Sequence, residues 1–186
     1  KQQIVQKANK TLFKDVFFIG GHPMAGSEKY GIESANPYLF HNKTYILTPA
    51  PKSNLGALEK ISLLIKMIGA KELILEPIEH DRIISAVSHL PQIIAVSLIN
   101  TIGELSLQGN SNNYFKAIGE GFKDMTRIAS SPYKMWEGIC DINQENILEM
   151  IQEFKNHVEV IEDKLKNNPN SLKEEFQKAK KLRESL

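Results

Sequence analysis

The stretch IISAVSHLPQIIAVSLINTIGEL, residues 83–105, decides the fold. As a helix it is apolar on nearly every face, the pattern of a helix surrounded by other protein. A chain of 186 residues is too small to surround it unaided. A second copy related by a two-fold axis, the commonest symmetry of soluble oligomers, is therefore expected to cover it. Pro91 falls mid-helix, where it removes one backbone hydrogen bond and predicts a kink with a freed carbonyl near Val87. The most apolar part, residues 90–102, is interrupted by Pro91, Gln92, Ser97 and Asn100. It falls short of the roughly 20 apolar residues a bilayer span needs, so neither a transmembrane helix nor a membrane partner is expected.

Upstream, Pro77 opens this helix, with Glu79 and Asp81 placed where a helix N-terminus favours negative charge. KELILEP, residues 71–77, is β-like, and Leu55, Leu58, Ile61, Leu64, Ile65 and Ile68 make one helical stripe ending at Gly69. The first fifty residues differ in kind. QQIVQKANKTLF (2–13) has helical spacing, VFFIGG (16–21) is a short strand ended by glycines, and TYILTP (44–49) holds a second strand stopped by prolines. They read as the tail of an α/β domain whose other strands would lie before Lys1. The chain is accordingly expected to be mainly α, an α/β remnant over 1–51 followed by a helical domain over 52–186.

Downstream, GEGFKDMTRIASSPYKMW (119–136) reads as a short helix, a turn and a new helix at Pro132. Ile147, Ile151, Phe154, Val158, Ile161 and Leu165 then alternate in steps of four and three, a coiled-coil seam that needs a partner helix. Ser171 and Glu174 have capping-box spacing at the start of a last amphipathic helix.

The 23 Lys and Arg against 22 Asp and Glu give a net charge of +1, without the concentrated basic excess of a nucleic-acid binder. The lone Cys140 excludes an intrachain disulfide framework or a multi-thiolate zinc site, and it fits a reducing, cytoplasmic location. The N-terminal residues have no signal-peptide core.

Gly21 and Gly26 have the spacing of a phosphate loop, but Ser27 and Glu28 stand where that loop needs Lys and then Ser or Thr. Gly119 and Gly121 lack the third glycine of a dinucleotide fingerprint, because Asp124 takes its place. What remains is His22 at the carboxyl end of a strand, where α/β sheets place their ligands. It is the best general-base candidate, although the spacing equally admits a structural histidine. His80 and His89 are nine residues apart, about half a turn out of phase at about 100° per residue, so no metal site is expected there. Ser88, His89 and Gln92 put polar groups on an otherwise apolar helix at its kink, either bonded to the freed carbonyl or turned to a ligand. Lys123 and Arg127, four apart, can present two cations to a carboxylate or simply form an exposed face. Trp136 serves equally as core.

Taken together, GGHPMAGSEKYGI (20–32), YILTP (45–49), HDRIISAVSHLP (80–91) and GFKDMTRIASSPYKMW (121–136) are similar, in order and separation, to motifs of the prephenate dehydrogenase family of tyrosine biosynthesis. The resemblance covers essentially the whole chain. It implies a remnant of a Rossmann-like nucleotide-binding domain over 1–51, beginning just past an S-x-K element, and an all-helical, homodimeric dimerisation and substrate-binding domain over 52–186. It further implies NAD or NADP, held mainly by residues upstream of Lys1, so that the isolated chain is expected to be inactive and to bind no cofactor tightly.

The resemblance assigns His22 as the catalytic residue that draws the proton from the ring hydroxyl of prephenate. It places Ser27, Glu28, Ser88, His89, Gln92, Gly121, Arg127 and Trp136 around the substrate, Arg127 on a carboxylate, and it requires no metal. Gln92 departs from a histidine common in the family, so arogenate is the alternative substrate. A non-enzymatic helical dimerisation module is the alternative from another class.

Overall fold

The computed structural model describes residues 1–13, 16–26, 31–50, 53–109 and 113–186. It divides into two compact units, Lys1–Gln144 and Glu145–Leu186. The first unit opens with helix α1 (Gln2–Thr11), which buries Val5. A three-stranded sheet follows, ordered β1 (Ile19–Pro23), β2 (Thr44–Pro49), β3 (Lys71–Ile74). Strand β2 runs antiparallel to β1 and parallel to β3. Its Ile46, Leu47 and Thr48 are buried, as a middle strand requires.

The expected strand over 16–21 sits later in the chain, at Ile19–Pro23, and the glycines lie inside it. The reason is close packing. A Cβ on Gly20 would lie 2.2 Å from Thr48 Oγ1 and 3.3 Å from Val5 Cγ2, so only glycine lets β1 approach both β2 and α1. His22 is consequently held by the ladder, opposite Ile46.

Helix α2 (Leu55–Met67) makes the crossover between the parallel strands β2 and β3. Asn54 caps it by accepting from the Ala57 N–H at 3.0 Å, and Gly69, at φ +73, ends it in the left-handed conformation. The sheet thus takes in residues on both sides of the expected boundary after residue 51.

The apolar helix runs from α3 (Pro77–Ile84) through a π-helical segment (Ser85–His89) into α4 (Leu90–Gln108). At the predicted kink, the backbone widens by one π turn just ahead of Pro91. The Leu90 N–H donates to the Ser85 carbonyl five residues back. This gives the proline ring room where an α turn would clash. At 32 residues the continuous helix Pro77–Gln108 is long and apolar enough, by length and composition, to cross a bilayer. That corrects the expectation from sequence, which counts only residues 90–102: the helix continues through Pro91, Gln92, Ser97 and Asn100 and extends beyond them at both ends.

Next come α5 (Asn113–Lys116), α6 (Glu120–Thr126), a 3-10 turn (Arg127–Ser130) and α7 (Tyr133–Ile142), which starts directly after Pro132. The second unit consists of α8 (Gln144–Asn167), whose first residue closes the first unit, a 3-10 turn (Pro169–Ser171) and α9 (Leu172–Glu184). The expected capping box does not form. Ser171 is the last residue of the 3-10 turn, so it has helical rather than extended dihedrals and gives its hydroxyl to the Asn168 carbonyl at 2.7 Å. Lys164 instead ties α8 to α9 through Glu175 at 2.6 Å. The seam residues Phe154, Val158, Ile161 and Leu165 are 38% to 55% exposed. The molecule is therefore mainly α, with a short α/β portion at its start.

Candidate functional site

A cavity of about 360 Å³ opens in the first unit, between the ends of α1 and β1 on one side and α3, the π segment and α7 on the other. Its polar lining is Lys1, His22, His80, Asp81, Ser88, His89 and Asn143, set against apolar Ile4, Ile84, Met135, Ile139 and Ile142. An apolar chamber with a few converging polar groups is the usual form of a small-molecule site.

Three of the polar groups form a chain. Asp81 Oδ1 lies 2.8 Å from His80 Nδ1, and His80 Nε2 lies 2.8 Å from His22 Nδ1. Strand β1 supplies His22, and the first turns of α3 supply the other two. Asp81 also accepts from the main-chain nitrogen of Lys1 and, at 2.9 Å, from the Gln2 N–H. It therefore caps α1 from another helix, satisfying a donor that α1 leaves open. Lys1 Nζ donates to the Gly21 carbonyl at 2.6 Å, tying α1 to β1 beside the histidine. Asn143 Nδ2 donates to the Asp81 carbonyl at 2.9 Å and approaches His89 Nδ1 at 3.3 Å.

The electrostatics follow from burial and from these neighbours. Burial pushes His22 down from its ordinary value to about 4, and His80, Lys1 and His89 add to the effect. It is a neutral imidazole near pH 7. Burial lowers His89 too, with Asp81 opposing and His80 assisting. For Asp81, burial works to raise the carboxyl, but the hydrogen bonds from His80 and from the main-chain nitrogens of Lys1 and Gln2 prevail and hold it well below the usual carboxylate range. Burial lowers the Lys1 ammonium, partly offset by Asp81. A neutral imidazole backed by an ionised carboxylate can accept a proton from a bound hydroxyl.

Of the residues singled out from sequence, His22, Ser88 and His89 line this cavity. Gln92 is buried one helical turn beyond Ser88. The Trp136 ring meets His89 edge-on, with centroids 5.8 Å apart, and its buried indole N–H has no partner among the described residues. Gly121 and Arg127 are exposed and do not line the cavity in the single chain. Lys123 and Arg127 are both exposed, and Lys123 is engaged by Glu120 at 2.6 Å. Ser27 and Glu28 lie outside the described residues.

His80 and His89, expected on opposite faces, both reach the cavity. The π segment between them puts more residues into its turn and shifts the phase. Among the described residues no group of three or more His, Cys, Asp or Glu is arranged to hold a metal ion. His80 and Asp81 had no assigned role from sequence. The one signal available was an adjacent His-Asp pair at the start of an apolar helix.

Comparison with known proteins gives a consistent result. Residues 76–181 match the family model described as prephenate dehydrogenase, dimerization domain, and residues 1–74 match its nucleotide-binding domain. A prephenate dehydrogenase of Bacillus subtilis is 36% identical over 191 aligned positions, covering 100% of this chain and 50% of the relative. The Lactococcus lactis prephenate dehydrogenase is also 36% identical, with 51% of its length covered. The chain thus spans about half the length of the curated relatives it matches. Among solved structures, Aquifex aeolicus prephenate dehydrogenase in complex with hydroxyphenyl propionate and NAD+ superposes with a TM-score of 0.88 at 32% identity. That match covers 98% of this chain and 63% of that one. Synechocystis arogenate dehydrogenase gives 0.86 at 25% identity, with 100% and 66% covered.

Proposed function

The chain belongs to the prephenate dehydrogenase family, and we propose that it supplies the proton-accepting and substrate-binding portion of a cytoplasmic, homodimeric enzyme that converts prephenate to 4-hydroxyphenylpyruvate. The observation that carries this reading is the cavity in which a neutral His22, backed by His80 and Asp81, stands beside Ser88 and His89.

The described residues contain no glycine-rich turn able to cradle a pyrophosphate. The chain's own contribution is accordingly the substrate end of the site, and no residue here is assigned to the cofactor. NAD+, when bound, supplies the acceptor for the hydride that leaves the carbinol carbon. His22 Nε2 takes the proton of the ring hydroxyl as that C–H bond breaks and a carbonyl forms. The bond to the ring carboxylate then breaks, CO₂ departs, and its electron pair makes the ring aromatic. The oxygen, now a phenolate, recovers the proton from His22, so protons and electrons balance.

Ser88, His89 and Gln92 face or flank the substrate from the π-turned helix. Arg127, exposed at the start of its 3-10 turn, holds a substrate carboxylate in a cleft that the second copy completes, with Gly121 and Trp136 beside it. Pairing also provides the cover for the long helix Pro77–Gln108, whose His80, Asp81, Ser85, His89 and Gln92 are already buried. Charged and polar groups at that density suit a protein interior better than lipid. The test is to assay the full-length protein for NADH formation with prephenate and, separately, with arogenate. Turnover of prephenate with a higher kcat/KM is expected. A protein inactive on both would overturn the assignment, and one preferring arogenate would replace the substrate.

A further inference from the structure

We propose that His80 and Asp81 are positioning residues that hold His22 in one tautomer, with the proton on Nδ1 and the lone pair on Nε2. The inference rests on the reading of His22 as the proton acceptor and says how the fold prepares it.

The argument is one of donors and acceptors. An ionised Asp81 can only accept, so His80 must place its proton on Nδ1, 2.8 Å from Asp81 Oδ1. A neutral His80 then has a lone pair on Nε2. His22 Nδ1, 2.8 Å away, must be the donor in that contact. A neutral His22 whose proton is on Nδ1 has its lone pair on Nε2, the nitrogen with no partner among the described residues. The direction is set at the far end of the chain, where Asp81 accepts from the main-chain nitrogens of Lys1 and Gln2. Those donors keep it ionised. The charged and titratable groups around His22 are the Lys1 ammonium just ahead of α1, His80 on α3 and His89 on the π segment, with Asp81 behind His80. None of the others offers His22 Nδ1 an acceptor.

The same logic predicts what removes the direction. Asp81 Oδ1 accepts from both His80 and the Lys1 nitrogen, and Oδ2 from the Gln2 N–H. In Asp81→Ala the acceptor that fixes the His80 proton on Nδ1 is gone, so His80 can carry its proton on either nitrogen and the His22 proton is no longer confined to Nδ1. Loss of the correct tautomer on changing the aspartate behind a histidine is a known mode of inactivation in other enzymes.

The experiment uses the full-length protein labelled with ¹⁵N-histidine near neutral pH, with the His22 signals assigned by their loss in His22→Asn. The wild type should show a protonated Nδ1 and an unprotonated Nε2. Asp81→Ala should show His22 protonated on both nitrogens in comparable amounts and lower kcat with little change in KM. His80→Gln, whose side-chain oxygen can still accept from His22, should keep the wild-type tautomer. A wild-type His22 protonated on Nε2, or one that stays wholly Nδ1-protonated in Asp81→Ala, would overturn the proposal. Should Asp81→Ala not fold, the wild-type spectrum and His80→Gln decide it. Absence of dehydrogenase activity in the wild type would instead sink the functional assignment while the tautomer is still read directly.

Discussion

His22 Nδ1 lies 2.8 Å from His80 Nε2, and this contact joins the last turn of the sheet's first strand to the first turns of the long apolar helix. It links the two parts of the first unit through the group proposed to do the chemistry. Any motion of β1 against α3 would disturb the imidazole, so the packing that fixes the fold also fixes the base.

If His22 is the proton acceptor, His22→Asn removes a step made only in the transition state. In the full-length protein kcat should fall by about 10²- to 10⁴-fold with KM nearly unchanged. Steady-state kinetics with prephenate and NAD+ measure this, and a kcat within a few-fold of wild type would dismiss the role.

Acidification should destabilise the protein through the same residue. Folded His22 titrates at about 4, whereas the unfolded chain takes up that proton near about 6.5. Between those values the unfolded state binds more protons, so stability falls as the pH falls through that window. Asp81, held below the usual carboxylate range, withdraws its contribution only at still lower pH. Melting temperatures followed from pH 7 to pH 4 should decline, and the decline should be shallower in His22→Asn. An identical slope in the two proteins would contradict the burial of a neutral imidazole.

Gly20 tests the packing beneath the site. An added Cβ would stand 2.2 Å from Thr48 Oγ1, inside a middle strand with nowhere to move. Gly20→Ala should cost about 1–3 kcal/mol, the ordinary range for overpacking a core. Urea unfolding would report it as a lowered midpoint at an unchanged slope, and an unshifted midpoint would mean that β1 is not held as described.

The uncovered seam of α8 invites a test of self-association. Val158 and Ile161 are 45% and 42% exposed in the single chain. Replacing both with Glu would bury charge in any helix pair formed there, so sedimentation should show a dimer becoming a monomer. A doubly substituted protein that stays dimeric would place the interface elsewhere.

Much of the helical architecture could be read from residue order, because period and punctuation are local properties. The start of α3 at Pro77, of α2 after Asn54 and of α7 after Pro132 all follow from them. The errors have a common origin. The phase of His80 and His89 holds only on an ideal α-helix, and one π turn alters it. Ser171 does not cap because it is itself the last residue of a 3-10 turn, Pro169–Ser171, with helical dihedrals. The family resemblance singles out His22, but nothing local shows that a residue 58 positions later will bond to it.

Residue order by itself determined the succession of a short α/β portion and a long helical one, the apolar helix that needs cover, and the motifs that place the chain in its family. These depend on side-chain type and interval, which the sequence states directly. Tertiary structure decided the chain of Asp81, His80 and His22, the capping of α1 by Asp81, and the neutral state of the histidine at the cavity. Those depend on which elements meet, at what distance and how far from water, and such quantities arise only when distant segments pack.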